Sequence, residues 1–229
     1  MMSKGFFYTF RHNFARGKFL YFLISILFYI LLSPFLKDFS GIHTLLDIFI
    51  SAVLLSGIYA VSEGKSDTVI MVMFVFPTVV LIWILHFIEL PSLALSSNCL
   101  SILFLGYAMI RILGFIFKSE TVTGDVIFAA IVVYLLIGVI WGIVFRSLET
   151  IQPGSFSIGE GLEQYPRIAF TYYSFVTLTT LGYGDINPLS PQAGTLAILE
   201  AIIGQLYLAV LIARLVGTYI SHSRESKEP

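Results

Sequence analysis

Charge is scarce in this chain of 229 residues: Lys, Arg, Asp and Glu together make up 12 % of it, about half the share usual for a soluble domain. That excludes a water-soluble globular fold. The 57 % hydrophobic content and the mean hydropathy of +0.91 define a polytopic membrane protein instead. A net charge of −1 offers no basic surface for nucleic acid. The single cysteine, Cys99, excludes an intrachain disulfide and a cysteine metal cluster, and reads as a small apolar residue of a membrane helix. The histidines His12, His43, His86 and His222 are scattered and form no metal pattern. With no Ser/His pair, paired carboxylates or His-x-x-x-His spacing, the chain reads as neither an enzyme nor a cofactor protein.

What is present is a series of apolar runs, at roughly 19–36, 43–61, 68–90, 93–117, 125–146 and 192–220. Each reaches the ~17 residues that cross the hydrocarbon core, so six spans are expected. The first run has a basic flank, but Ser33-Pro34 offers no small-x-small cleavage site, and it reads as an uncleaved span. Pro77 predicts a kink in the third. With the N-terminus inside, inner segments carry Lys4, Arg11, Arg16, Lys18, Lys65, Lys118, Arg224 and Lys227, and outer segments only Lys37, Arg146 and Arg167. This asymmetry places both termini in the cytoplasm of a cell membrane, plasma or bacterial inner. The basic, aromatic residues 1–18 either fix that orientation or lie against anionic lipid headgroups. A strong response to voltage needs several membrane-embedded charges, each worth only ~2.3 kcal/mol per 100 mV. The fourth run holds Arg111 alone, which should snorkel or pair with Glu63 or Asp67. Asp47 should face a watery crevice or a partner in the bundle.

Residues 147–166 turn polar and acidic, with Glu149, Pro153, Gly154, Gly159, Glu160, Gly161 and Glu163. They read either as a solvated connector or as an outer vestibule that concentrates cations. Tyr165-Pro166-Arg167 then opens a helix, since proline suits the first helical turn. Arg167 to Thr179 gives 13 residues, ~20 Å at 1.5 Å per residue, too short to cross. The next span begins outside, so the chain must turn back as a re-entrant helix and loop. Such a loop is permitted at membrane depth only where it is buried in protein or lines water.

That loop is Thr179-Thr180-Leu181-Gly182-Tyr183-Gly184-Asp185. A cation entering there must exchange water for oxygen ligands. Successive carbonyls supply these if all point to one side of an extended chain, which needs backbone angles alternating in hand. Glycine reaches φ > 0 without a Cβ penalty, so Gly182 and Gly184 are the residue type required at alternate positions. Leu181 and Tyr183 would turn into the wall, and Thr180 adds a hydroxyl at the inner mouth. One chain carries one such loop, whereas a closed ring of carbonyls needs several; four copies about an axis predict a C4 homotetramer.

This stretch resembles the Thr-x-Gly-Tyr-Gly-Asp filter signature of the potassium-channel family. Tyr165-Pro166-Arg167 and Tyr172-Tyr173 resemble the pore-helix pattern of simple bacterial members, and Gly204, nineteen residues after Asp185, falls where that family has a hinge glycine. The resemblance implies K+ as the permeant ion, bound by carbonyls of Thr180, Leu181, Gly182 and Tyr183 and by the Thr180 hydroxyl, with Gly184 closing the filter. It implies an Asp185–Tyr172 bond behind the filter, Tyr172 and Tyr173 bracing Tyr183, Thr179 at the cavity top, and Gln205 and Leu208 facing the cavity. Two positions depart from the family: Leu181 replaces a valine, and Val176 stands where some members have an acid, so gating through such an acid does not carry over.

In the last span Glu200 is the anomaly, because an acid in a membrane helix is costly. One turn outward of Gly204, it should sit behind the filter and bond Thr177 or Ser174, either structurally or as a pH-sensitive element. Ile212 and Val216 are either an inner constriction or ordinary helix packing. The expectation is thus an all-α membrane protein: residues 1–18 cytoplasmic, 19–120 a charge-poor four-helix peripheral domain, 121–221 the pore domain, and 222–229 a tail too short for a ligand-binding domain. It reads as a potassium-selective channel of six spans with a re-entrant pore helix between the fifth and sixth. The alternatives are a weakly selective monovalent cation channel and, from another class, a potassium-uptake transporter subunit, which would carry four degenerate loops in one chain.

Overall fold

The computed structural model describes residues 17–35, 42–62, 65–85, 90–159 and 161–225. Seven helices appear in these segments: α1 (Lys18–Phe35), α2 (Ile42–Val61), α3 (Lys65–Leu85), α4 (Pro91–Lys118), α5 (Gly124–Ile151), α6 (Pro166–Leu178) and α7 (Pro191–Glu225). Two three-residue strands, β1 (Phe156–Ile158) and β2 (Ile186–Pro188), pair antiparallel, with Ser157 opposite Asn187. Most of the basic segment (through Arg16), Lys37, Glu63, Glu160, His86 and the last four residues lie outside the described residues.

Five helices are long and apolar enough to cross a membrane, over Thr44–Val61, Asp67–Leu85, Pro91–Lys118, Gly124–Ile151 and Pro191–Thr218; α1 carries a shorter apolar stretch, Lys18–Leu32. Their ends have identifiable causes. Pro91 and Pro166 occupy the first turns of α4 and α6, where a missing N–H costs nothing. Thr123 caps α5 by accepting from Val126 N. The charged stretch from Arg146 does not end α5, which continues to Ile151 before Pro153-Gly154 turns the chain at φ +83°.

α5 is the central element. It packs against α1 and α4 on one side and against α6 and α7 on the other. The larger apolar core joins α1–α5, with Phe19, Phe22, Phe104, Leu105, Ile112 and Leu136 fully buried. Small residues let the backbones approach there. Gly57 lies under the Phe104 and Phe22 rings, and a Cβ at Gly142 would stand 3.0 Å from Thr171 Cα of α6. A second, aromatic cluster of Phe145, Phe156, Phe170 and Tyr173 binds β1 and α6 to α5 in edge-on pairs with centroids 5.0–5.6 Å apart.

Candidate functional site

The site is the turn that follows α6. Thr179 N reaches Phe175 O (3.0 Å) and Thr180 N reaches Thr177 O (3.0 Å), while Leu181 N and Gly182 N both converge on Val176 O (2.9 and 3.4 Å). The start of the loop is therefore bonded back onto the end of its own helix. Beyond it the backbone alternates in hand: φ is +60° at Thr180, +62° at Gly182 and +79° at Gly184, while Leu181 and Tyr183 keep negative φ. Glycine takes such angles freely. Thr180 does not, being β-branched, and it is the one non-glycine residue at positive φ among the described residues. Strain of this kind costs about 1–3 kcal/mol and persists where the surroundings over-determine it. Composition signals the two glycines; nothing in a threonine signals that it joins them.

The outer end of the loop is held from three sides. Tyr172 Oη donates to Asp185 Oδ2 (2.6 Å). Asn187 Nδ2 donates to the Gly184 carbonyl. β2, immediately after Asp185, pairs with β1, and Gly159 lies against the Asp185 carbonyl. Asn187 and the strand pair were not read from the sequence: three-residue strands leave no periodic signal, and Asn187 looks like any turn asparagine. Glu149 spends both carboxylate oxygens on the turn, accepting from Gly154 N and Phe156 N. It shapes the approach to β1.

Leu181 and Tyr183 are exposed on the single chain, at 58 and 67 %. Tyr173 turns its ring onto Phe145 and Phe156 of its own chain. The reason is packing: α5 and β1 offer an aromatic cleft directly behind α6.

Glu200 on α7 is fully buried behind α6. Of the two hydroxyls the sequence offers it, Ser174 is the one bonded. Ser174 Oγ also lies 2.6 Å from the Gly138 carbonyl of α5. A hydroxyl has one proton and a carbonyl only accepts. Both contacts are satisfied together when Ser174 gives its proton to Gly138 and Glu200 supplies one to Ser174. The second oxygen, Oε2, is buried with no partner among the described residues. A neutral carboxylic acid fits this setting, because an ionised one would leave a charge uncompensated.

Around this centre three other contacts fix α7 and α6. Gly204 lies against α6 so closely that a Cβ would stand 2.8 Å from Leu178 O; this gives Gly204 a packing reason, and α7 runs unbroken through it. Tyr207 Oη donates to Ala130 O (2.7 Å), and its ring stacks on Tyr134. Arg167, in the first turn of α6, pairs with Asp47 of α2, which is 3 % exposed at its side chain. Arg111 pairs with Asp67 at 2.6 Å, the second of its two expected partners. Gln205, Ile212 and Val216 are exposed on α7, and Leu208 is half-buried. Thr179 is exposed, with its Oγ1 donating to Phe175 O. No group of three His, Cys, Asp or Glu suited to a metal ion occurs among the described residues.

Residues 128–221, which hold most of α5, the half-length helix α6, the loop of alternating hand and most of α7, match the family model described as "Ion channel". The relatives are more particular. The chain is 31 % identical over 108 residues to Two-pore potassium channel 5 of Arabidopsis thaliana, covering 47 % of this chain and 24 % of the relative. It is 41 % identical over 63 residues to the inward rectifier potassium channel Kirbac3.1 of Paramagnetospirillum magnetotacticum, covering 28 % and 18 %. It is 35 % identical over 65 residues to Two pore potassium channel c of Oryza sativa subsp. japonica, covering 28 % and 14 %. The chain thus spans about a quarter or less of the length of these curated relatives. No solved structure matches it. The family and the relatives are ion channels, and these are not enzymes.

Proposed function

We propose that the chain is one subunit of a potassium-selective channel. The observation that carries this is the positive φ at Thr180, Gly182 and Gly184, every second residue, directly after a 13-residue helix. That alternation turns consecutive carbonyls toward one side, which is what a dehydrated K+ needs. K+ binds at Thr180, Leu181, Gly182 and Tyr183, and needs no cofactor. α6 is a re-entrant pore helix, and α1 joins the five longer helices as a sixth span. Four copies surround the axis, with the exposed face of α7 and the side chains of Leu181 and Tyr183 turned to neighbouring copies or lipid. Tyr172 with Asp185, and neutral Glu200 with Ser174, hold the filter from behind. Gln205 and Leu208 face the cavity, and Ile212 and Val216 form the inner constriction. Gly204 supplies close packing and, by the family resemblance, a hinge. With Arg111 bonded to Asp67 and no arginine series on α4, the gate is not strongly voltage-driven.

Flux into liposomes tests this reading. K+ should enter and Na+ should not, and Gly182→Ala should abolish the difference, because alanine cannot hold φ +62° without strain. Equal Na+ and K+ flux in the parent protein would sink the selectivity claim.

A further inference from the structure

A cavity of about 620 Å3 opens at the end of the bundle where α6 begins, and each helix from α1 to α6 lines it. Its size is that of a ligand pocket. Exposed Leu90, Pro91, Thr150 and Pro166 form the rim, at the start of α4, the end of α5 and the start of α6. Tyr29, Leu46 and Ile82 are buried and close its sides. The way in runs past helix ends, from water, and not between helices from the hydrocarbon.

Asp47, Arg146 and Arg167 stand in the wall. Asp47 and Arg167 neutralise one another as an ion pair. Arg146 is held differently. Its Nη2 donates to Asn98 Oδ1, a neutral amide, whose Nδ2 donates in turn to Ser147 Oγ (3.0 Å). Asp47 attracts Arg146 and Arg167 repels it, so the pair leaves its charge largely uncompensated. Among the described residues Arg146 forms no ion pair of its own. Glu149, one turn on along α5, has both oxygens on the backbone N–H groups of Gly154 and Phe156. The α4 and α6 N-termini and the α3 and α5 C-termini meet here with opposite partial charges, which largely cancel. A guanidinium carries several N–H donors, and none of the Arg146 nitrogens is a buried atom without a partner. The donors not given to Asn98 therefore face the open cavity. The hydroxyls of Ser101, Thr150 and Thr171 are spent on carbonyls of their own helices.

We propose that this cavity binds an organic monocarboxylate with an apolar body, taken from the water phase. The carboxylate accepts from the remaining N–H groups of Arg146, whose planar fork fits it. The apolar body lies against Leu46, Ile50, Ile82 and Ile143. A bare inorganic anion would satisfy the charge and leave those walls wet, and a neutral apolar molecule would cover the walls and leave the charge unmet. α6 lines the cavity through Arg167, Ile168 and Thr171, so an occupant bears directly on the helix that precedes the loop. That effect on ion flux rests on the channel reading above; the binding does not.

The binding is read by equilibrium dialysis of the full chain in phosphatidylcholine nanodiscs, with empty nanodiscs subtracted, against 2-naphthoate, its neutral isostere 2-naphthamide, and acetate. 2-Naphthoate should bind about tenfold or more tightly than 2-naphthamide, and acetate, which lacks an apolar body, should not be retained. Arg146→Gln, whose amide keeps a donor for Asn98, should bind the two naphthyl compounds alike. Ile82→Trp, which fills the apolar part and leaves Arg146 in place, should bind neither. Either variant decides the matter if the other fails to fold. No binding of 2-naphthoate, equal affinity for acid and amide in the parent protein, a preference for the acid that survives Arg146→Gln, or undiminished binding in Ile82→Trp would overturn the site. In vesicles, K+ flux should change on adding 2-naphthoate to the parent protein and not to Ile82→Trp. Binding without any effect on flux would overturn the coupling, and the absence of all flux would count against the channel reading while leaving the binding result standing.

Discussion

α5 and α7 look alike by hydropathy, 2.8 and 2.2 over 28 residues each, yet 56 % of the first is buried within the chain and only 11 % of the second. α5 is surrounded by α1, α4, α6 and α7. α7 touches its own chain along one edge, through Glu200, Gly204, Tyr207 and Arg214, and leaves Ile198, Ile202, Leu206 and Val210 bare at every fourth position. The difference separates a helix whose surroundings are supplied by its own chain from a helix whose apolar face its own chain leaves uncovered. Hydropathy alone cannot see this, because lipid and protein interiors are equally apolar.

The sharpest way to break the contrast is to cut the α2–α6 link that stands on the α5 side. Asp47→Ala leaves Arg167 without its buried carboxylate and should cost about 3–5 kcal/mol, read as a drop in Tm of the single subunit fold. Asp47→Asn/Arg167→Met should recover most of it. Next comes Gly204→Ala, whose new methyl would meet the Leu178 carbonyl at 2.8 Å, a backbone atom that cannot step aside. It should cost about 1–3 kcal/mol and lower the assembled fraction in size-exclusion runs. Gly138→Ala meets the Phe175 ring, which can turn, and should cost less.

Glu200→Leu should cost about 1–3 kcal/mol by stripping Ser174 of a partner. Glu200→Gln should be close to silent in Tm, because an amide donates to Ser174 as a neutral acid does. If Glu200→Gln also leaves selectivity, open probability and pH response unchanged, Glu200 is purely structural. Smallest is Tyr207→Phe, which removes one bond to Ala130 and should lower Tm by an amount equivalent to about 1 kcal/mol.

Much of the fold was legible because membrane helices announce themselves as apolar runs: 93–117 and 125–146 fall inside α4 and α5. The end of α5 was misjudged because hydropathy registers Arg146 and Glu149 as a boundary, whereas a helix carries polar residues wherever its surroundings accept them. The glycine positions of the loop were legible from backbone sterics, and the partner of Asp185 from resemblance. The Asp47–Arg167 pair spans 120 residues, and no local pattern joins them. Gly138 and Gly142 are a small-xxx-small pair that could have been read as a close helix contact. The direction of the Tyr173 side chain was not legible, because a motif gives a residue's position and the cleft behind α6 decides where its ring packs.

The β1–β2 clip, the Tyr172–Asp185 bond and the convergence on Val176 O all lie within one chain. The loop is therefore shaped within a single copy of the chain. In the proposed tetramer, joining four such loops is then a rigid docking of finished walls rather than a folding event shared between chains. On that reading the ordering entropy of the loop is spent in folding each copy, and association has only the freedom of whole bodies left to lose.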